Sequence, residues 1–469
     1  MNVIQTRLAV ASRWWQSEKL LALMLLAGAV FIGCATGLFG AILAAKPIIL
    51  AVALALMLGV LALFASVEWA FLALMLVRAG ADPLLETTKL GSGGVGAGAI
   101  LNLAFIFMAA MLCLRHPRAV KLREFSIWAP FLAVLLLGVA RSPQVATSFK
   151  MWLTWLTVFG VYWTSVFLVR RGWTRDRLLK IVWCSSLLPV AVGILFAVLR
   201  KSPFDSGDVT DGVGFRLAGA FSHPNIHALY LLLTISLTLY FWKRAASTEG
   251  ASRWMWPAYL LVLLALLLLT KTRSAWLAGA VILLFYGYFM NRRLLLAILI
   301  VAPALVLAVP ELRDRLLDLG HGNTYVTFAK LNSFAWRKLL WSSALKDMHA
   351  AEFLWGRGAL AFDADSVRFF PLSGGVEWGA HNVYMQLLFD LGAVGVIVYL
   401  ALFLSPLRVV RHLWANDRVL LVPLLAAIFS ALLVGYSDNM LRYLVFNLYM
   451  WMIVAVIVTD VSKGQIRRE

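Results

Sequence analysis

GGVEWGAHNVYMQLLFDLGAVG, residues 374–395, is a polar, glycine-rich stretch that passes through His381-Asn382 into an apolar helical run starting at Val383. The run continues to about residue 404, and about 20 residues of helix are what a hydrocarbon core demands. A loop thus delivers an imidazole to the top of a membrane helix. A titratable ring at such a boundary needs partners in both its neutral and its charged form. That requirement makes His381 the first candidate for chemistry, against the plainer reading of an interfacial histidine bonded to a loop carbonyl.

Similar apolar runs recur along nearly the whole chain. The 469 residues are 62% hydrophobic and 14% charged, with a mean hydropathy of +0.85. The runs are continuous rather than alternating, so the backbone can satisfy itself in lipid only as helices. The expected fold is an all-α polytopic integral membrane protein with about 12–14 transmembrane helices. It forms a single transmembrane domain over residues 1–469, with one long extracytoplasmic loop at 311–381. The net charge of +19 does not point to nucleic acid, because the basic residues lie in short loops between spans, as the positive-inside pattern requires. Cys34, Cys113 and Cys184 all lie in apolar runs and offer neither a disulfide framework nor a metal spacing. The N-terminal MNVIQTRLAVASRWWQSEK is basic and aromatic without a small-residue cleavage site, and reads as a retained cytoplasmic or interfacial segment.

Topology follows from the basic clusters. Lys463, Arg467 and Arg468 place the tail inside, and Arg408, Arg411 and Arg418 do the same for the loop after the span near 383–404. The hairpin of spans near 419–436 and 442–460 therefore has its turn, Ser437-Asp438-Asn439, outside. Arg292-Arg293, Lys243-Arg244, Arg170-Arg171 and Arg115 with Arg118 fall on the inner side, leaving the turn at 270–273, the loop 200–224 and the long loop outside. Residues 20–78 must cross an odd number of times, and the sequence leaves one, two or three spans open there.

Three arginines share the outer side with His381. Arg216 lies in GFRLAGAFSHPNIHALYLLL, Arg273 in LLLLTKTRSAWLAGAVILL, and Arg337 in NSFAWRKLLWSSAL on an amphipathic helix within the loop. Most arginines at helix ends only snorkel toward headgroups. Positive-inside bias, however, depletes the outer face of arginine, so several converging there beside a histidine point to a bound anion. Planar bidentate guanidiniums match phosphate oxygens, and a diphosphate on a lipid carrier is the natural choice. Among possible supporting residues, His223 and Asn225 sit at the start of a span, where helix capping by Asn225 alone would explain it. Asn382 follows the histidine. Trp336 and Trp378 neighbour Arg337 and His381 and offer rings to a sugar, although packing is the plainer role. Asp363-Ala364-Asp365 is a weak DxD match, so no metal ligand and no cofactor are assigned. Asp390 reads as structural.

In order and spacing, RLAGAFSHPN, TKTRSAWLAG, SFAWRKLLWSSALKDMHAAEFLWGRGALAF and AHNVYMQLLFDLGAVG resemble the O-antigen ligase and O-antigen polymerase superfamily. The resemblance runs from about residue 120 to the C-terminus. It implies a glycosyltransferase in the inner membrane of a Gram-negative bacterium, with its active site facing the periplasm. The reaction implied is transfer of O-antigen polysaccharide from undecaprenyl diphosphate to the lipid A-core, with His381 as the essential histidine and Arg216, Arg273 and Arg337 as the functional arginines. TRSAWL departs from the Ser-Arg order frequent in relatives. The residue chemistry agrees: with no nucleotide fingerprint, the energy must come from an activated lipid-linked donor. Fixed arginines can stabilise the leaving diphosphate, and a histidine can accept the proton of the attacking hydroxyl, with inversion at the anomeric carbon. An O-antigen polymerase, a protein-glycosylating oligosaccharyltransferase and a lipid-linked saccharide transporter are the rival readings. A transporter would place its polar groups near the midplane in repeated halves, and here they gather at one face.

Overall fold

The computed structural model describes residues 66–82, 97–117, 122–200, 215–245, 252–310, 313–314 and 331–466. Among the described residues no strand occurs. Helices α1 (Val67–Arg78), α2 (Ala97–Arg115), α3 (Leu122–Ala140) and α4 (Val145–Arg170) lead to a broken pair, α5 (Arg175–Cys184) and α6 (Leu187–Leu199). They are followed by α7 (Pro224–Ala245), α8 (Ser252–Leu269), α9 (Arg273–Met290) and α10 (Arg292–Ala308). The long insertion supplies α11 (Ser333–Asp347), α12 (Glu352–Trp355) and α13 (Ala361–Phe369). The chain closes with α14 (Val383–Leu404), α15 (Val410–Asn416), α16 (Leu421–Gly435) and α17 (Leu444–Ile466). Seven helical segments among the described residues are long and apolar enough to cross a membrane, and the protein is an all-α polytopic membrane protein. Of residues 20–78, where one to three crossings are expected, α1 covers the last part, and residues 20–65, with Cys34 and the N-terminal segment, lie outside the described residues.

Two helices form the axis of the bundle. α7 is buried on nearly every side, so its hydroxyl groups need partners inside the protein. Thr234 donates to the Tyr230 carbonyl at 3.0 Å and Thr238 to that of Thr234 at 2.8 Å, which removes the cost of an unpaired hydroxyl in an apolar interior. α17 packs along α4, and Trp451 gathers Trp128 at 4.6 Å, Phe403 at 5.3 Å and Tyr162 at 5.7 Å between ring centroids. Tilted and edge-on aromatic contacts of this kind join α3, α4, α14 and α17 into one core.

The two ends of the bundle differ in charge chemistry. At one end Arg175 pairs with Asp460 at 3.1 Å, Arg244 pairs with Asp417, and Lys243 donates to the Met290 carbonyl at 3.0 Å. These contacts bring the basic start of α5 together with the ends of α7, α9 and α17. The opposite end carries the starts of α7, α9 and α14 and the α16–α17 turn.

The long insertion is docked onto that second end. Arg141, just past α3, donates to the Trp355 and Gly356 carbonyls at 3.0 and 2.6 Å. Ser142 and Ser148 both donate to the Ala359 carbonyl, at 2.6 and 3.0 Å. Asp390, buried on α14, accepts from the Phe362 and Leu360 amides at 2.8 and 3.0 Å and so anchors the first turn of α13. This is the structural role expected for it. α14 is not the straight span expected for 383–404. Gly392 has φ +71°, and a Cβ there would lie 2.2 Å from the Leu354 carbonyl oxygen, so only glycine permits this bend against α12. Before the elbow, Tyr384 donates to the Leu432 carbonyl at 2.6 Å near the end of α16, while Leu391 packs on Gly138 near the end of α3. Residues 383–391 therefore run from one span end to another, along the rim of the bundle, and the chain descends only after Gly392.

Candidate functional site

The site grows from the way α7 begins. Pro224 takes the first helical position, where its missing N–H costs nothing. His223 caps the helix: its Nδ1 accepts from the Asn225 amide at 3.1 Å, and its carbonyl accepts from Ile226 at 3.1 Å. The capping role expected for Asn225 is thus taken by His223, and the Asn225 side chain is released for another task. Its Oδ1 accepts from Arg216 at 2.8 Å and from the Thr272 hydroxyl at 3.0 Å, while its Nδ2 donates to Asp438. One amide therefore ties an arginine to a carboxylate 213 positions further along the chain.

Arg216 is held just as firmly from the other side. Its Nε donates to the Thr270 carbonyl at 3.1 Å and its guanidinium reaches the Thr272 hydroxyl at 3.2 Å. The backbone follows, with the Leu217 amide on the Leu269 carbonyl at 3.0 Å. The α8–α9 turn is therefore a cradle for the segment that carries Arg216. The next residue of that turn, Arg273, opens α9, where the helix dipole opposes a cation. It donates to Ser333 at 3.2 Å, linking the turn to α11 and hence to Arg337, one turn further along that helix.

His381 stands above this group in an enforced conformation. Its φ is +47°, a left-handed setting that costs a non-glycine residue on the order of 1 kcal/mol. Both of its neighbours are tied down. The Ala380 amide donates to Gln386 Oε1 at 3.1 Å, and the Ala380 carbonyl accepts from the Trp341 indole at 2.7 Å. Asn382 caps α14, accepting from the Tyr384 and Met385 amides at 2.8 and 3.0 Å, so its side chain is spent on the helix start. The imidazole Nδ1 lies 3.9 Å from Asp438 Oδ1. The side chain is 37% exposed, which leaves part of the ring open to solvent.

Asp438 is the residue that joins the parts. It is buried, and beyond Asn225 it accepts from the Tyr443 hydroxyl at 2.5 Å and the Asn439 amide at 2.8 Å. Burial alone would push its carboxyl up. The contacts of His381 and Tyr443 and the charges of His381 and His223 outweigh that and hold it below the usual carboxylate range. The Tyr443 phenol is driven the other way, by burial and by the adjacent carboxylate. Gln386 supports the group from beneath, donating to Asp363 and Asp390 at 2.9 Å each and accepting from Asn439 at 3.1 Å.

The structure thus brings Arg216, His223, Asn225 and His381 around Asp438, and links Arg273 to the α11 helix of Arg337. Trp336 meets His381 edge-on at 6.1 Å, but it also packs on Phe370 and Trp378. The Trp378 indole donates to the Ser373 carbonyl at 3.1 Å. Both tryptophans serve the small core of the loop. Asp363 and Asp365 do not converge: Asp363 accepts from Arg442 at 2.5 Å and Asp365 from Arg357 at 2.9 Å. Asp438, Thr272, Tyr443 and Gln386 were not singled out from sequence. The one available signal was an acid in a turn between two spans, Ser437-Asp438-Asn439, next to nothing that marked its partner.

A search of curated proteins finds no match. Residues 258–400 match the family model described as O-antigen ligase. That segment runs from α8 into α14 and includes Arg273, Arg337 and His381, and over it the chain is similar to the O-antigen ligase family.

Proposed function

We propose that this protein is a membrane glycosyltransferase of the O-antigen ligase type. It transfers O-antigen polysaccharide from undecaprenyl diphosphate to the lipid A-core at the periplasmic face of the inner membrane. The observation that carries the reading is the chain Arg216–Asn225–Asp438–His381, a guanidinium and an imidazole joined through one carboxylate at the ends of several spans. Nδ1 of His381 faces Asp438, which leaves Nε2 for the acceptor. Nε2 takes the proton of the acceptor hydroxyl as that oxygen forms a bond to the anomeric carbon. The bond from that carbon to the diphosphate oxygen breaks, and its electron pair leaves with the diphosphate. Asp438 stabilises the imidazolium that forms, while Arg216, Arg273 and Arg337 receive the growing charge on the leaving group. Attack from the face opposite the leaving group inverts the anomeric centre.

Because guanidiniums supply the positive charge, transfer is expected to persist in excess chelator. Activity lost to chelator and restored by magnesium or manganese would sink the arginine account. The reaction itself is tested by deleting the gene and examining both lipid products. Unsubstituted lipid A-core with accumulated lipid-linked long polymer is the expected pair. Accumulation of single-repeat products would indicate a polymerase instead, and unchanged lipids on both counts would refute glycosyl transfer.

A further inference from the structure

The wall beside His381 is aromatic, and its two flanking rings, Phe334 and Tyr436, are exposed. On α11, Phe334, Arg337 and Trp341 recur at helical spacing and share one face. Trp341 meets Phe334 edge-on at 6.5 Å and Tyr436 at 5.6 Å between centroids, so three rings form one continuous strip. Its two ends are open: Phe334 is 42% and Tyr436 52% exposed. The strip is also tied to the reacting groups. The Trp341 indole donates to the carbonyl of Ala380, the residue before His381, and Tyr436 stands two positions ahead of Asp438. Trp336 and Trp378, the rings singled out from sequence, are engaged within the loop core, and Trp341 packs against that core while Phe334 and Tyr436 stand outside it.

We infer that Phe334, Trp341 and Tyr436 form a platform for a pyranose ring of a substrate saccharide. The inference rests on the glycosyl-transfer reading above. A pyranose presents a face of C–H groups that is weakly positive, and an aromatic face is negative, so the two stack while the hydroxyls stay at the rim. Arg337 lies on the same helical face, where it can meet a phosphate or a hydroxyl at that rim. Exposed aromatic residues near a membrane surface also serve as headgroup anchors. The tie through Ala380 favours the sugar, because an anchor has no need to be locked to the catalytic histidine.

The test measures binding to the full-length, detergent-purified protein with three probes. These are undecaprenyl diphosphate, undecaprenyl diphosphate bearing one N-acetylhexosamine, and lipid A-core lacking O-polysaccharide. Tyr436→Ala and Phe334→Ala should each weaken one of the two sugar-bearing probes by about three- to tenfold and leave the bare carrier unchanged. Tyr436→Phe should bind like wild type. A loss confined to the sugar-bearing carrier assigns the platform to the donor, and a loss confined to lipid A-core assigns it to the acceptor. Equal loss with the bare carrier would make the strip a lipid contact and overturn the proposal, as would wild-type binding of all three probes. Arg216→Ala separates the two levels of argument. If it leaves both carriers bound as in wild type, the diphosphate assignment fails, while the ring variants still decide the platform.

Discussion

Asp438→Asn isolates the contribution of the carboxylate, since it keeps the shape and one carbonyl oxygen and removes the charge. When His381 accepts a proton, unit charges stand 3.9 Å apart, an attraction of about 4 kcal/mol at the effective dielectric of a site near a protein surface. The imidazole is 37% exposed, so solvent screening reduces this to about 2–4 kcal/mol. That interval corresponds to roughly 30- to 10³-fold in the chemical step. The assay is single-turnover transfer beside donor binding on the same purified variant, and binding should change only a few-fold. The same substitution should appear in stability. Asp438 is held below the usual carboxylate range, so its contribution is present above the unfolded-state value of about pH 4 and lost as pH falls through the lower folded value. The melting-temperature gap between wild type and Asp438→Asn should persist at neutral pH and narrow below about pH 4. A folded Asp438→Asn protein that transfers within about threefold of wild type, against the calculated 30-fold minimum, would refute the reasoning.

The other expectations separate the base from the charge clamp. His381→Ala should bind donor yet lose about 10²–10⁴ in transfer, and a folded variant reacting at the wild-type rate would make His381 structural. Arg216→Ala should weaken both donor binding and turnover, with lysine a partial rescue because it carries the charge without the fork; full rescue by lysine would remove the bidentate argument. Ser373→Cys, in the loop between α13 and α14, should react with an impermeant thiol reagent in cells with a permeable outer membrane. Labelling only after lysis of the inner membrane would invert the topology.

Much of this protein was legible in its sequence for a local reason. A span is decided by hydropathy along one continuous run, so the helical class could be read without knowing any contact, and the basic clusters gave Arg216, Arg273, Arg337 and His381 a common expected side. The partners of those residues could not. Asn225 next to a helix start carries the signature of a cap, and only the structure shows that the His223 imidazole had taken the amide and freed Asn225 to reach Asp438. Gly392 sits in an apolar run where a helix tolerates glycine, and nothing in hydropathy distinguishes it from a packing glycine. Its necessity appears only when α12 lies against the bend. Asp438 was one polar residue in one turn between spans. Which span ends adjoin is settled by side-chain packing across the bundle, through contacts such as Trp451 on Trp128 and Tyr162, and not by any pattern within a single span. Tertiary packing therefore decided which histidine, arginine and carboxylate would meet.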